Sequence, residues 1–340
     1  MGEKKIRARQ APTMSDVARL AGVNRVTASV ALRGVRAGTH VSEATRQRIL
    51  EAARQLGYTP NAIAMALRRK RTDIIGYYVG HGYLQPHDPF TADVITGLQL
   101  GCGKYQQDLL MFGGFQRRSD DEIYAALSSG KIDGLVLLPS PHNPVMEKLV
   151  SSHLAVVAIA NKVESLPSLL VDDIVGAQQV VHYLAKQGHR RVLYRGDRYS
   201  LTSQMQRQQA FVRTAAEYDM HVTITVSDDW NGHLSEEERE LLNAPIGQRP
   251  TAAMCWVDTF AYSLLHDCEQ LGIRVPDDLA VVGFDGVETN IPPARSLTTV
   301  RAPWREVAET AVDTLMALIE GKEVDVEKVF PVELVIGETT

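Results

Sequence analysis

Apolar residues recur at three-to-four-residue intervals in the first seventy residues and as short unbroken runs after them, so the pattern predicts a helical head followed by a strand-and-helix body. Val17, Leu20 and Ala21, then Val26 and Val30, fall at helical spacing on either side of Gly22. This predicts two short helices, each burying that apolar face and joined by a tight turn: a helix-turn-helix. Thr13 with Asp16 three residues on approximates a capping box for the first helix, and Asn24 can cap the second. A third helix is expected from Ser42 to about Leu56, where Gly57 stops it. Pro60 then holds Thr59 extended, and Asn61 can cap a fourth segment, AIAMALRRK. A helix below roughly 12–15 residues is marginal alone in water, so this one is expected to form against a partner.

After Thr72 the runs IIGYYV (74–79), LLMF (109–112), GLVLL (134–138), VVAIA (156–160), RVLY (191–194), AAMCWV (252–257) and LAVVGF (279–284) alternate with helical stretches such as Val175–Gln187 and Thr259–Gly272. Fully buried parallel strands covered by crossover helices leave this signature. The expected class is α/β, with two doubly wound lobes and a ligand in the crevice at the carboxyl ends of their strands.

Charge separates the same two regions. Residues 1–71 hold fifteen Lys or Arg against four acids, a net of 15 − 4 = +11; the whole chain is −5, so the remainder carries −5 − 11 = −16. A basic head on an acidic body suits phosphate contact by the head alone. At 340 residues, 44% hydrophobic and 23% charged, the composition is that of a soluble globular protein of two or three domains. No run of eighteen apolar residues predicts a membrane span, and the basic N-terminus has no apolar stretch behind it, so a cytoplasmic location is expected.

The sequence offers little for catalysis. It has no glycine-rich dinucleotide or phosphate loop, no HExxH and no GxSxG. Cys102, Cys255 and Cys268 lack metal-ligand spacing and read as reduced and buried; His81 and His87 read as loop surface. Neither a metal nor a cofactor is expected. Asp172-Asp173 and Asp277-Asp278 read as helix-start and turn residues.

These strings, taken in order, resemble the lactose/galactose repressor (LacI/GalR) family of bacterial transcription regulators. The head carries Asp16-Val17-Ala18, Ala21-Gly22-Val23-Asn24 and Thr27-Ala28-Ser29, and YTPN (58–61) with Ala64 and Leu67 is similar to the family's hinge. In the body DPFTADVITG (88–97), IDGLVLL (132–138), LVDDIVGAQ (170–178), KQGHRRV (186–192), Arg207-x-x-Ala210-Phe211, PTAAMCWVD (250–258), VPDDLAVVGFD (275–285) and LTTVRAP (297–303) follow in family order. The resemblance implies a DNA-binding head at 12–58, a hinge helix at 59–71 and a two-lobed core at 72–340 similar to periplasmic binding proteins. The lobe boundaries are expected at about 72–172 plus 285–300 and about 173–284 plus 301–340.

It also implies roles. The second helix would enter the major groove with Arg25, Val26 and Val30 at base edges, Arg25 on guanine or phosphate and the valines on apolar groups such as a thymine methyl. Thr13, Thr27 and Ser29 are candidates for phosphate. Many relatives carry Arg where Val30 stands and Asn where Arg33 stands, so the usual operator sequence does not transfer. At the hinge, Asn61 and Ala64 precede Leu67, which would wedge into a base step of the minor groove beside its symmetry mate, with Arg68 at phosphate. A homodimer on a pseudo-palindromic duplex follows. Between the lobes, Asp88, Phe90, Asn161, Arg207, Trp230 and Asp258 would hold a small effector, expected to be a sugar or sugar derivative, with a nucleobase as another option. Relatives often have Asp-Arg in place of Ala160-Asn161 and Asn in place of Val257. The competing readings are a solute-binding protein of the transport type, which would need an export signal, and an α/β enzyme with an appended DNA module, which would show turnover.

Overall fold

The computed structural model describes residues 11–33, 41–80, 88–113, 115, 117–141, 143–198, 201–229, 231–287 and 295–340, and of Arg33 the backbone alone. The chain forms two compact units, residues 1–72 and 73–340.

In the head, α1 (Met14–Leu20), α2 (Arg25–Arg33) and α3 (Glu43–Leu56) close around Val17, Ala18, Ala21, Ala28, Ala31, Ile49, Ala52 and Ala53. Alanines dominate, so three short helices can approach closely. Their ends are set as the sequence predicts: Thr13 and Asp16 complete a reciprocal capping box, and Gly57 ends α3 in the left-handed conformation at φ 62°. After it, α4 (Ala62–Arg69) starts at an Asn61 cap whose Oδ1 accepts from the Ala64 amide at 3.1 Å. None of its residues is buried.

The core runs β1 (Ile74–Val79), α5 (Pro89–Lys104), β2 (Asp108–Met111), α6 (Asp120–Leu127), β3 (Gly134–Leu138), α7 (Pro144–Val150), β4 (Ala155–Ile159), β5 (Ser168–Val171), α8 (Asp173–Lys186), β6 (Arg191–Asp197) and α9 (Thr202–Ala216). It continues β7 (His221–Ser227), α10 (Glu236–Leu242), β8 (Ala252–Cys255), α11 (Asp258–Leu271), β9 (Ala280–Asp285), β10 (Thr298–Arg301), α12 (Trp304–Ile319), β11 (Glu327–Phe330) and β12 (Glu333–Val335). Two six-stranded sheets result, ordered β2-β1-β3-β4-β5-β11 and β7-β6-β8-β9-β10-β12, parallel except for β10 with β12. Among the described residues no helix is long and apolar enough to cross a membrane.

The lobe boundaries differ from the expectation at the second crossing. β10 lies beside β9 in the second sheet, not in the first lobe, while α12 and β11 belong to the first lobe, and the chain returns only at β12. The reason is packing: Gly97 and Gly101 on α5 leave a groove in which α12 sits so close that an added Cβ at Gly97 would lie 2.2 Å from the Arg305 carbonyl oxygen.

Both sheets reverse strand order at their second strand, between β1 and β3 and between β6 and β8. Open parallel sheets bind ligands at the carboxyl ends of such strands. Those ends carry Val79, Leu138, Asp197 and Trp256, and all four line one cavity of about 180 Å³ between the lobes.

Candidate functional site

On α2 the buried side is Ala28 and Ala31, which turns Val26 and Val30 away from the core. Val26 is 70% exposed and Val30 half-buried. The spacing therefore misassigned the buried face: small alanines fill the tight interface with α1 and α3, and the β-branched valines share the outer side with exposed Arg25 and half-buried Ser29. Two hydroxyls named for phosphate are already donating locally. Thr13 Oγ1 bonds Asp16 Oδ2 at 2.7 Å, and Thr27 Oγ1 bonds Asn24 Oδ1 at 3.0 Å, where the Thr27 amide also donates at 2.7 Å. Arg33 ends α2, and its side chain lies outside the described residues.

Along α4, Leu67 is 82% exposed, and Ile63, one turn earlier on the same face, 81%. Ile63 was not singled out in the sequence, where the Ala64/Leu67 spacing drew attention, although i and i+4 apolar residues on a short helix are the signal that could have found it. Asn61, Ala64 and Arg68 are exposed as well.

In the core, Asp88, Phe90, Asn161 and Arg207 all line the cavity. Asp88 caps α5, accepting from the Thr91 amide and hydroxyl at 3.1 and 2.9 Å, and takes a 3.4 Å bond from Thr259 of the other lobe. Asn161 also spans the lobes: its Oδ1 accepts from the Ser203 amide at 3.1 Å. Phe90 meets Trp304 edge-to-face at 4.8 Å between centroids. Arg207 is buried against the Phe284 ring, its Nε donating to Asp173 at 2.6 Å and its Nη1 to the Trp256 carbonyl at 2.6 Å, with Asp285 Oδ1 at 3.8 Å. Trp230 lies outside the described residues.

Residues 13–61 match the family described as "Bacterial regulatory proteins, lacI family", and residues 181–340 match the periplasmic binding protein-like domain. The HTH-type transcriptional repressor PurR of Photobacterium profundum is 30% identical over 322 residues, covering 91% of this chain and 92% of the relative. The chain belongs to the lacI family of bacterial regulatory proteins. It is a transcriptional repressor of that family with a ligand-binding domain, not an enzyme. The fold agrees with solved members. The lac repressor dimer bound to operator and the anti-inducer ONPF superposes with TM-score 0.79 at 22% identity, covering 97% of this chain and 99% of that one. A complex of the transcriptional regulator CelR with cellobiose gives 0.67 at 24%, covering 97% and 100%.

Within this lacI-family core, one expected ligand residue is placed elsewhere. Asp258 does not line the cavity; its carboxylate takes the Thr299 hydroxyl at 2.5 Å and the Gly286 amide at 2.8 Å, clasping β10 to the end of β9. It does not cap α11 either, whose N-cap is Val257. Asp285, which the sequence reading left out of the pocket, does line it. Its φ of 121° is costly for a residue with a Cβ, and the Trp304 indole donating to Oδ1 at 3.1 Å and the Ala302 amide donating to its carbonyl at 3.0 Å hold it there. Asp173 is the first residue of α8, as the sequence reading has it, and is also the buried partner of Arg207.

Burial pushes the Asp258 carboxyl up to about 7, against the lowering effect of its Thr299 and Gly286 bonds. A folded pKa above the unfolded value of 3.8 means the native state binds the extra proton, so stability falls as pH rises from about 4 to about 7. Asp258→Asn is expected to flatten that slope in urea denaturation across a pH series; an unchanged slope would assign it to other groups.

Proposed function

We propose that two copies of this chain bind a pseudo-palindromic operator and that a small effector held between the core lobes sets how tightly they do so. The observation that carries the DNA half is α4, a helix with no buried residue that presents Ile63 and Leu67 on one face, ends in Arg68 and Arg69 and is followed by Lys70 and Arg71. Such a helix gains from pairing with its symmetry mate, and an apolar side chain from each can wedge into a minor-groove step while the cations meet phosphate. Upstream, Arg25, Val26 and Val30 occupy the outer side of α2, where a recognition helix reads base edges. The dimer in the solved lac repressor complex supports the stoichiometry.

For the effector half, the support is the cavity: carboxylates and a guanidinium fork that can bracket hydroxyls, and aromatic rings that cover an apolar ring face. We read the effector as a sugar or sugar derivative, a class represented by the cellobiose held by the similar CelR.

An operator selected from a random duplex library tests the first half. Leu67→Ala is expected to weaken binding to that site about tenfold or more and to reduce its bend, since the unstacking wedge and its contacts are worth a few kcal/mol. Ile63→Ala should give a smaller loss of the same kind. Unchanged affinity and bend in Leu67→Ala would remove the hinge from the account.

A further inference from the structure

We infer that the effector is an uncharged or cationic molecule rich in hydroxyl or amine donors, and not a phosphate ester or a carboxylic acid. The inference rests on the cavity between the lobes being the effector site, and it adds the charge class that this site accepts.

Among the described residues the wall carries five carboxylates, those of Asp88, Asp197, Asp228, Asp229 and Asp285. Against them stand two cations, and both are engaged by acids. Arg207 is bonded to Asp173 at 2.6 Å and faces Asp285, while Arg198 lies 3.7 Å from Asp228. Among the described residues an entering anion would meet a wall with more acids than cations, and around buried Arg207 and Asp285 like-charge repulsion is larger than in water. Burial pushes the Asp285 carboxyl towards its neutral form; with a proton on it, four lining carboxylates still stand against two guanidinium groups.

Helix N-termini could in principle compensate, since their amides and dipole attract anions. Of the helix starts that reach the cavity, those of α5 and α9 are already filled. Asp88 occupies the first turn of α5 through the Thr91 amide, and Asn161 Oδ1 takes the Ser203 amide in the first turn of α9. α11, with Val257 and Thr259 on the wall, begins without a side-chain cap, but its dipole of roughly half a charge does not offset the excess of acids.

The wall's hydrogen-bonding character points the same way. Carboxylates only accept, so a ligand group that meets one has to donate, in the manner of the Thr91 and Thr259 hydroxyls on Asp88 and the Trp304 indole on Asp285. One complementary feature asks for an acceptor: the Trp256 indole Nε1, on a cavity-lining ring, is buried with no partner among the described residues. A hydroxyl group supplies both roles, and a phosphate at neutral pH chiefly accepts. The rings of Phe90, Trp256, Phe260 and Trp304 add flat apolar faces that suit a sugar ring or an amine, whose positive charge a π face also attracts.

The three tryptophans of the chain, at 230, 256 and 304, all lie in the core. Their fluorescence therefore reports on the core and is silent to phosphate esters caught by the basic head. Titrating the full chain with glucose, glucosamine, glucose 6-phosphate and glucuronate, with adenosine and AMP, and with cellobiose tests the charge rule. The expected result is that the probes which bind are neutral or cationic, and that each phosphate or carboxylate derivative binds at least tenfold more weakly than its parent. Asp229→Asn, which removes one lining charge at nearly constant shape, should narrow that ratio severalfold. A phosphate ester or sugar acid bound as tightly as its parent overturns the inference, as does a panel in which no neutral or cationic probe binds. A probe of any charge that binds Phe90→Ala and Arg207→Lys as well as it binds the unaltered chain overturns the location of the site instead.

Discussion

Replacing Arg207 by alanine is expected to lower core stability by about 3–5 kcal/mol and to abolish any effect of ligand on operator binding. The guanidinium is buried with Asp173 and Asp285, so its removal leaves two acids in low dielectric without their cation and strips the face of Phe284 of its partner. An orphaned acid escapes by taking up a proton. The deficit should therefore be smaller at pH 5 than at pH 8, a direction that loss of packing alone would not produce. Arg207→Lys separates charge from geometry: the ammonium restores part of the stability but cannot reach Asp173 and the Trp256 carbonyl with two N–H vectors of one plane. Urea denaturation with operator titration, with and without a bound probe, measures both effects. A loss under about 1 kcal/mol with ligand response intact would mean that Asp173 and Asp285 are compensated by other groups.

Glu238→Ala should cost a similar amount for a different reason. Arg195 and Glu238 are 0% and 1% exposed at their side chains, bonded through Nε to Oε1 at 2.7 Å and Nη2 to Oε2 at 3.1 Å. Arg195 also donates to the carbonyls of Gly232 and Phe260, and Glu238 accepts from the Thr225 hydroxyl and the Ser235 amide. Four segments of the second lobe thus meet at one pair, and alanine leaves an unpaired buried cation, worth about 3–5 kcal/mol. The double replacement Arg195→Met with Glu238→Met should recover much of the loss, because both desolvation penalties vanish together. Burial raises the Glu238 carboxyl, yet the Arg195, Thr225 and Ser235 bonds outweigh it and hold the group below its ordinary 4.5. Its stabilising share is present above that value and is lost as pH falls through the lower folded one. Denaturation midpoints should therefore drop as pH falls below about 4.5 in the unaltered protein and less so in the double variant. If the single and double variants were equally unstable, the pair would be acting only as filler.

Capping residues were legible because they act over three positions. Thr13 with Asp16, Asn24, Ser42, Asn61 and Gly57 all stand where the sequence places helix ends. Strands buried on both faces were legible as continuous apolar runs, as in GLVLL and LAVVGF. β7, HVTITVS, was missed because an edge strand alternates and offers no such run. β10 and β11 are four residues each and show themselves only by pairing with β9 and β5.

At the site, Arg207 could be picked out as a pocket residue, but its partner could not. Asp173 lies 34 positions away on another helix, and nothing local distinguishes it from Asp172, which caps α8. Asp258 and Asp285 exchanged roles for the same reason. Which of two buried acids faces the cavity depends on where β9, β10 and α12 deliver their ends, and a register shift of one residue in a strand would swap the faces. On α2 the period located the helix but not its inner side, because Ala28 and Ala31 outcompete larger valines when three helices must approach closely.

Helix ends, buried strands, the basic head and the acidic body are written in the chain, since each depends on neighbours within a few positions or on summed charge. The pairing of Arg207 with Asp173, the clasp made by Asp258, the second lobe crossing and the acidic lining of the cavity are settled only by the folded core. They are contacts between residues far apart in sequence, and their energies depend on burial and direction, which no local pattern encodes.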